Sequence, residues 1–238
     1  MRTIFLADAH LQHPDDANYR LLLAFIRSLQ GSTATLCILG DLFDFRIGLP
    51  ALNFPEQEPI LTALEELHAS GTRLIYLEGN HDFHLGAGLG SRLGAEIHSG
   101  PVQLALQGKQ VFLCHGDLIN RADWRYRLLH RTLRNPLTLR IGRLLPAAVV
   151  QGLRSRLQRT SKQRYSRDRK RWDYSAMIRS YAASIRTQGA QALVLGHFHQ
   201  PFIDQQDGFT LVSLGDWISH YSYAELVDGT FRLLTYPA

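Results

Sequence analysis

Two cysteines in 238 residues are too few for a disulfide-stapled secreted scaffold. No stretch approaches ~18 uninterrupted apolar residues, which argues against a membrane-spanning helix. The opening Met1-Arg2-Thr3-Ile4-Phe5-Leu6-Ala7-Asp8 reaches a carboxylate too early for a signal peptide. There is no internal repeat at a fixed period. What remains is globular: 45% apolar and 20% charged residues argue against a disordered chain. The length suits one large domain or a domain with an insertion, ample for a real core. A cytoplasmic enzyme is the expected class.

Acidic residues are scarce in one region only. Between positions 120 and 175, 16 Lys and Arg face 3 Asp and Glu, a local balance of +13. The rest holds 10 against 18, a balance of −8, so the overall +5 hides two unlike parts. Such asymmetry speaks of partners rather than of fold.

Outside that region the chain alternates short apolar runs with helical spacing. Runs at 2–7, 35–39, 73–77, 111–114 and 192–195 read as strands, and 16–30 and 59–69 as amphipathic helices. Further strands are expected at 104–106, 209–214, 223–227 and 231–234, with hairpins around Gln107-Gly108 and Asp228-Gly229. The pattern predicts a layered α/β fold with a core at 1–119 and 176–238. The intervening 120–175 reads as an inserted helical cap, punctuated by Pro136 and Pro146.

Each of the five runs named first ends in polar residues able to bind metal. They are Asp8-Ala9-His10, Gly40-Asp41-Leu42-Phe43-Asp44, Gly79-Asn80-His81-Asp82, His115-Gly116-Asp117 and Gly196-His197-Phe198-His199. Any one such cluster is a common turn or helix cap. Five in order, each closing an apolar run, point to one site beyond the carboxyl ends of the strands. Aspartate, histidine and asparagine without cysteine suit Mn2+, Zn2+ or Fe2+. Seven candidates (Asp8, His10, Asp41, Asn80, His115, His197, His199) are too many for one tetrahedral ion and suit two that share a carboxylate. Two ions roughly 3.5–4 Å apart clamp a phosphoryl group and stabilise the leaving oxygen.

This motif series resembles the calcineurin-like metallophosphoesterase superfamily across residues 8–199. The resemblance implies a two-sheet sandwich flanked by helices, a four-layer arrangement, and a dinuclear centre. It implies that Asp8, His10, Asp41 and His199 hold one ion. Asp41, Asn80, His115 and His197 would hold the other, with Mn2+ the expected metal. His81 would stand beside the phosphate as a catalytic group, oriented by Asp82. Within the superfamily the chain resembles the UDP-2,3-diacylglucosamine diphosphatases of lipid A synthesis. The features are Gly40-Asp41-Leu42-Phe43-Asp44, His115-Gly116-Asp117, the Gly-His-x-His-x-Pro ending at Pro201, and the basic helical insertion. That likeness implies water attack on the α-phosphorus, releasing UMP and 2,3-diacylglucosamine 1-phosphate. Asn80, His81, Asp123, Tyr126, Ser161, Lys162, Arg164, Arg167 and Lys170 are then the expected substrate contacts. One difference stands out: the best-known diphosphatases of that group carry arginine where this chain has His81, a proton-exchanging ring instead of a fixed charge. A phosphodiesterase or phosphatase for another nucleotide, lipid or nucleic acid stays open beside it. A non-catalytic scaffold is disfavoured by the intact ligand set.

The basic segment has three readings: a solvated surface, a nucleic-acid groove, or a lid toward an anionic membrane or pyrophosphate lipid. Residues 137–157 interleave leucines with arginines, the composition of an interfacial helix or of a helix pair broken at Pro146. With the metal motifs, this favours the lid, a nucleotide-activated glycolipid substrate and the cytoplasmic face of the inner membrane. The leucines serving as the cap's own core stays open. Arg46, just after the second motif, is expected to meet either a phosphate or a neighbouring carboxylate. Trp217 and the two cysteines read as core.

Overall fold

A computed structural model describes residues 1–48, 54–146, 149, 152 and 172–237. The first half runs β1 (Arg2–Leu6), α1 (Ala17–Ser28), β2 (Thr33–Ile38), β3 (Arg46–Ile47), α2 (Glu58–Ala69), β4 (Arg73–Leu77), β5 (Asp82–Phe83), α3 (Gly86–Leu93) and β6 (Ala95–His98). Then come β7 (Val102–Leu106), β8 (Lys109–Cys114), α4 (Trp124–Leu133), α5 (Pro136–Leu144), α6 (Tyr174–Arg186) and β9 (Ala192–Leu195). The chain closes with β10 (Phe202–Gln206), β11 (Phe209–Ser213), β12 (Ser222–Val227) and β13 (Thr230–Thr235).

Two sheets form. One has the order β13-β12-β1-β2-β4-β6, the other β10-β11-β9-β8-β7. The strands that carry the motifs lie parallel: β1, β2 and β4 in the first sheet, β8 and β9 in the second. All five motifs therefore leave their sheets at carboxyl ends.

The two-residue period of a strand sorts the side chains into layers. Ile4, Leu6, Leu36, Ile38, Leu74 and Tyr76 face α1 and α2, meeting Leu22, Ile26, Ile60 and Leu64. Their neighbours Phe5, Cys37, Ile75 and Leu77 face the second sheet and meet Val111, Leu113, Val194 and Val212. On the far side, Leu193, Leu195 and Cys114 bury Ile178, Ala182 and Ile185 of α6. The result is the expected helix–sheet–sheet–helix sandwich. Each fully buried aliphatic contributes roughly 1.5–3 kcal/mol of transfer free energy. Cys37 and Cys114 are free and buried, and burial pushes both thiols up. Trp217 is fully buried in the helix-side core, as expected.

The expected hairpins are present. Gln107-Gly108 and Asp228-Gly229 have positive φ at both positions (48° and 77°, 48° and 75°), the tight turn that matches strand twist. Five elements were not expected: α3, β6, the edge strand β10, and the two-residue strands β3 and β5, whose ribbon ties the second motif to the third.

Within 120–175 the described residues form α4 and α5, capped by Asp123 and Asn135 through their side-chain oxygens. No described residue of α4 is buried. Trp124, Leu128, Leu137, Ile141 and Leu144 are exposed. The apolar stretch expected to run to 157 is helical over α5, and most of it beyond Pro146 lies outside the described residues. Among the described residues, no helix is long and apolar enough to cross a membrane.

Candidate active site

The strand ends deliver their side chains by way of unusual backbone. Asp8, His10, Asp41, His197 and His199 all have φ between 45° and 71°, a region that non-glycine residues seldom occupy. Each costs on the order of 1–3 kcal/mol unless the surroundings enforce it, and such residues cluster at functional sites. The loops also pack closely: a Cβ at Gly196 would fall 2.5 Å from Asp8 Oδ2 and 2.6 Å from Ala7 Cβ.

The donor atoms converge. His10 Nε2 lies 3.9 Å from Asp8 Oδ1 and 3.8 Å from Asp41 Oδ2. His199 Nε2 lies 3.8 Å from the same Asp8 oxygen. His115 Nε2 lies 3.4 Å from Asp41 Oδ2 and 3.0 Å from Asn80 Oδ1. The His197 ring packs edge-on against His115 at 5.1 Å, and its backbone N–H donates to Asp8 Oδ2 at 2.6 Å. The structure thus brings all seven expected ligands together, with Asp41 between the His10 and His115 sides.

Charge at the site is incomplete without cations. Asp8 Oδ1 is buried with no hydrogen-bond partner. Burial pushes the Asp8 carboxyl up to about 6 against the pull of His199 and His115. Burial holds the His10 imidazole well below its ordinary value and His197 down to about 3. Burial opposes the charges of Asp41 and His115, yet each sustains the other: the carboxyl is held well below the usual range and the imidazole well above it. A carboxylate oxygen without a donor, amid imidazoles that burial disfavours as cations, fits divalent metal. Three-residue groups able to share one ion include Asp8, His10 and His199, and Asp8, Asp41 and His115.

Supporting contacts fix the rings. His115 Nδ1 lies 2.8 Å from the Leu39 carbonyl oxygen, leaving Nε2 for the centre. Asp44 lies 3.9 Å from His10 Nδ1, and its carbonyl oxygen is 2.8 Å from His81 Nδ1. His199 Nδ1 faces Asp216 Oδ2 at 3.3 Å. Burial opposes the Asp216 charge, yet His199 and three loop N–H groups hold this carboxyl well below the usual range. His10, Asp41, Asp44, Asn80, His81, His197, His199 and Asp216 line a cleft of about 1080 Å³.

Two expected roles, those of Asp82 and Arg46, are corrected, and the other expected substrate contacts are placed as follows. Asp82 does not orient His81: it is fully buried and accepts from Asp41 N, Leu42 N, Gly79 N and the Tyr76 hydroxyl (2.9, 2.9, 2.8 and 2.5 Å). It joins two ligand loops from beneath, and burial followed by Asp41 raises its carboxyl to about 6. Arg46 does not face the cleft; it bonds Gln57 and lies between the Phe43 and Phe54 rings. Asp123 caps α4 by accepting from Tyr126 N. Tyr126 donates to Asp117 Oδ2 at 2.6 Å, with its ring 6.5 Å from His197. Ser161, Lys162, Arg164, Arg167 and Lys170 lie outside the described residues.

Arg134 and His130 went unnoticed as participants in the sequence, whereas His84, just after the third motif, reads there as either a supporting residue or a plain loop histidine. Arg134 donates to Glu78 Oε2 at 2.6 Å and to the Gly79 carbonyl at 2.7 Å, latching the end of α4 onto the third motif. His84 meets the Leu133 carbonyl at 2.9 Å, and His130 lies 3.5 Å from Asp117. Asp216 had a signal: β11 runs into Leu214-Gly215-Asp216, the same apolar-run-then-Gly-Asp pattern as the second motif.

The sandwich and its paired ligand clusters define a metal-dependent phosphoester hydrolase. The model of the calcineurin-like phosphoesterase family matches residues 1–201, and the chain belongs to that family. It is 35% identical to a UDP-2,3-diacylglucosamine hydrolase of Pseudomonas syringae pv. tomato, over 90% of this chain and 87% of that one. A protein of the same name from Neisseria meningitidis serogroup B is 29% identical, over 94% and 93%. Among solved structures, an archaeal phosphodiesterase shares the fold, with a TM-score of 0.51 at 11% identity over 98% and 99% of the two chains.

Proposed function

We propose that this chain hydrolyses the pyrophosphate of UDP-2,3-diacylglucosamine to UMP and 2,3-diacylglucosamine 1-phosphate. The observation that carries this reading is an intact donor set in a chain aligned nearly end to end with relatives named for that substrate.

Asp8, His10, Asp41 and His199 would hold one divalent ion, and Asp41, Asn80, His115 and His197 the other, with Mn2+ the metal that this oxygen–nitrogen set suits. When bound, the ions supply Lewis-acid polarisation of the phosphoryl oxygens and a nucleophilic water at neutral pH. The chain's own residues do the rest. Asp82 keeps the Asp41 and Gly79 loops in register. His81, on the cleft wall with Nδ1 turned to Asp44, would stand beside the phosphate, to stabilise its charge or protonate the leaving oxygen.

In this reading residues 120–175 serve as the lid of the enzyme, of which α4 and α5 are described. Its exposed Trp124, Leu128, Leu137, Ile141 and Leu144, set among arginines, suit acyl chains and an anionic membrane surface. The chain then works at the cytoplasmic face of the inner membrane, with Ser161, Lys162, Arg164, Arg167 and Lys170 as further contacts to the substrate. His81 in place of arginine favours a second reading, another phosphodiester or monoester substrate. The test supplies Mn2+ and compares three reactions: UMP release from UDP-2,3-diacylglucosamine, phosphate release from simple monoesters, and cleavage of single-stranded DNA. UMP as the dominant product supports the first reading; its absence alongside either other activity moves the assignment to the second.

A further inference from the structure

We infer that Asp216 is a positioning residue for His199, holding its imidazole with Nδ1 protonated and Nε2 turned toward Asp8 and His10. The inference rests on the reading that Asp8, His10 and His199 share a metal ion.

The carboxylate is itself immobilised. Asp216 is buried, and its Oδ1 accepts from the backbone N–H groups of Ile218, Ser219 and His220 at 2.9, 2.7 and 3.1 Å. The loop is pinned as well. Trp217 N donates to the Asp8 carbonyl at 3.1 Å, and its indole packs against Phe25 and Tyr236 at 5.0 and 5.8 Å. Only Oδ2 is left to look outward. It meets His199 Nδ1 at 3.3 Å, His220 Nδ1 at 2.9 Å and the Ser219 hydroxyl at 3.1 Å. The opposite nitrogen of His199 is 3.8 Å from the unpartnered Asp8 oxygen. A carboxylate behind a ligating imidazole selects the tautomer and sharpens ring orientation. The same loop thus fixes the backbone of one ligand, Asp8, and the ring of another, His199.

The chemistry dictates an informative substitution. In Asp216→Asn the three backbone donors claim the remaining amide oxygen, so the NH2 group faces His199. That group needs an acceptor at Nδ1, which places the ring proton on Nε2 and blocks ligation. The loop keeps its bonds while the tautomer inverts.

The experiment titrates metal-free wild type and Asp216→Asn with Mn2+ by calorimetry. Wild type is expected to take two ions per chain. The variant is expected to lose roughly 10–100-fold in affinity at one site and nothing at the other, with the thermal midpoint of the metal-free protein unchanged. Both affinities retained in the variant overturns the inference while the dinuclear reading stands. Fewer than two ions in wild type overturns the dinuclear reading and the inference with it. Should the variant fail to fold, 15N-histidine-labelled wild type loaded with Zn2+ decides by NMR. His199 protonated on Nδ1 and ligated through Nε2 supports the role, and ligation through Nδ1 overturns it.

Discussion

The buried carboxylate of Asp82 accepts the backbone N–H of Asp41 at 2.9 Å, although the two residues lie on different loops 41 positions apart. Asp41, between the His10 and His115 sides of the site, is thus held in its left-handed conformation by an acid that does not line the cleft.

Removing that acid should cost more than removing any one of its partners. Asp82→Ala leaves three buried N–H groups without acceptors, an expected loss of about 3–5 kcal/mol. Tyr76→Phe deletes a single hydrogen bond and should cost about 1–2 kcal/mol. Urea unfolding of the metal-free proteins measures both. Equal losses would show that Asp82 is ordinary packing.

Arg134 and Glu78 form a largely buried pair at 2.6 Å where α4 meets the third motif. Breaking it with Arg134→Met strands a buried carboxylate, with an expected cost of about 3–5 kcal/mol. Adding Glu78→Gln should recover part of that loss. A double variant no better than the single one would argue that Arg134 acts only through the Gly79 carbonyl.

Metal affinity should rise with pH through the weakly acidic range. Burial keeps Asp8 protonated below about 6 in the metal-free site, and binding must expel that proton. Between pH 5 and pH 7 this group alone strengthens Mn2+ binding by roughly tenfold, and above pH 7 its contribution levels off. His199 acts in the same direction: burial opposes its charge, but the bond to Asp216 raises it, so it too gives up a proton on ligation. Calorimetric affinities at pH 5, 6, 7 and 8 test the slope, and a flat profile would contradict the protonation states assigned to the site.

The exposed apolar side chains of α5 should matter for long-chain substrate and not for the chemistry. In the triple variant Leu137→Ser, Ile141→Ser, Leu144→Ser, stability should shift by less than about 0.5 kcal/mol per site. Hydrolysis of a small chromogenic phosphodiester should be unchanged, while turnover of diacylated substrate and binding to anionic vesicles fall. Equal losses on both substrates would make the cap a structural element.

The cluster of candidate ligands was legible because its motifs each follow a short apolar run, and parallel strands deliver such ends to one place. The layered α/β class was legible in the alternation of apolar runs with amphipathic helices, whereas the two-sheet sandwich was an expectation from the family resemblance. Two of the edge strands were not legible. Ala95–His98 is short and half polar, and Phe202–Gln206 carries Asp204, Gln205 and Gln206, so neither forms an apolar run. The misassignments of Asp82 and Arg46 share a cause: sequence places a residue beside a site without saying which way its side chain turns. Arg46 follows the second motif, yet its guanidinium is taken up by Gln57 and two aromatic rings.

The most direct test of the central claim follows oxygen. Protein loaded with Mn2+ is given UDP-2,3-diacylglucosamine in H2(18)O, and the products are weighed by mass spectrometry. The account predicts UMP carrying one 18O and unlabelled 2,3-diacylglucosamine 1-phosphate, with both lost in Asp41→Ala. Absence of UMP, or label in the sugar phosphate instead, would contradict it.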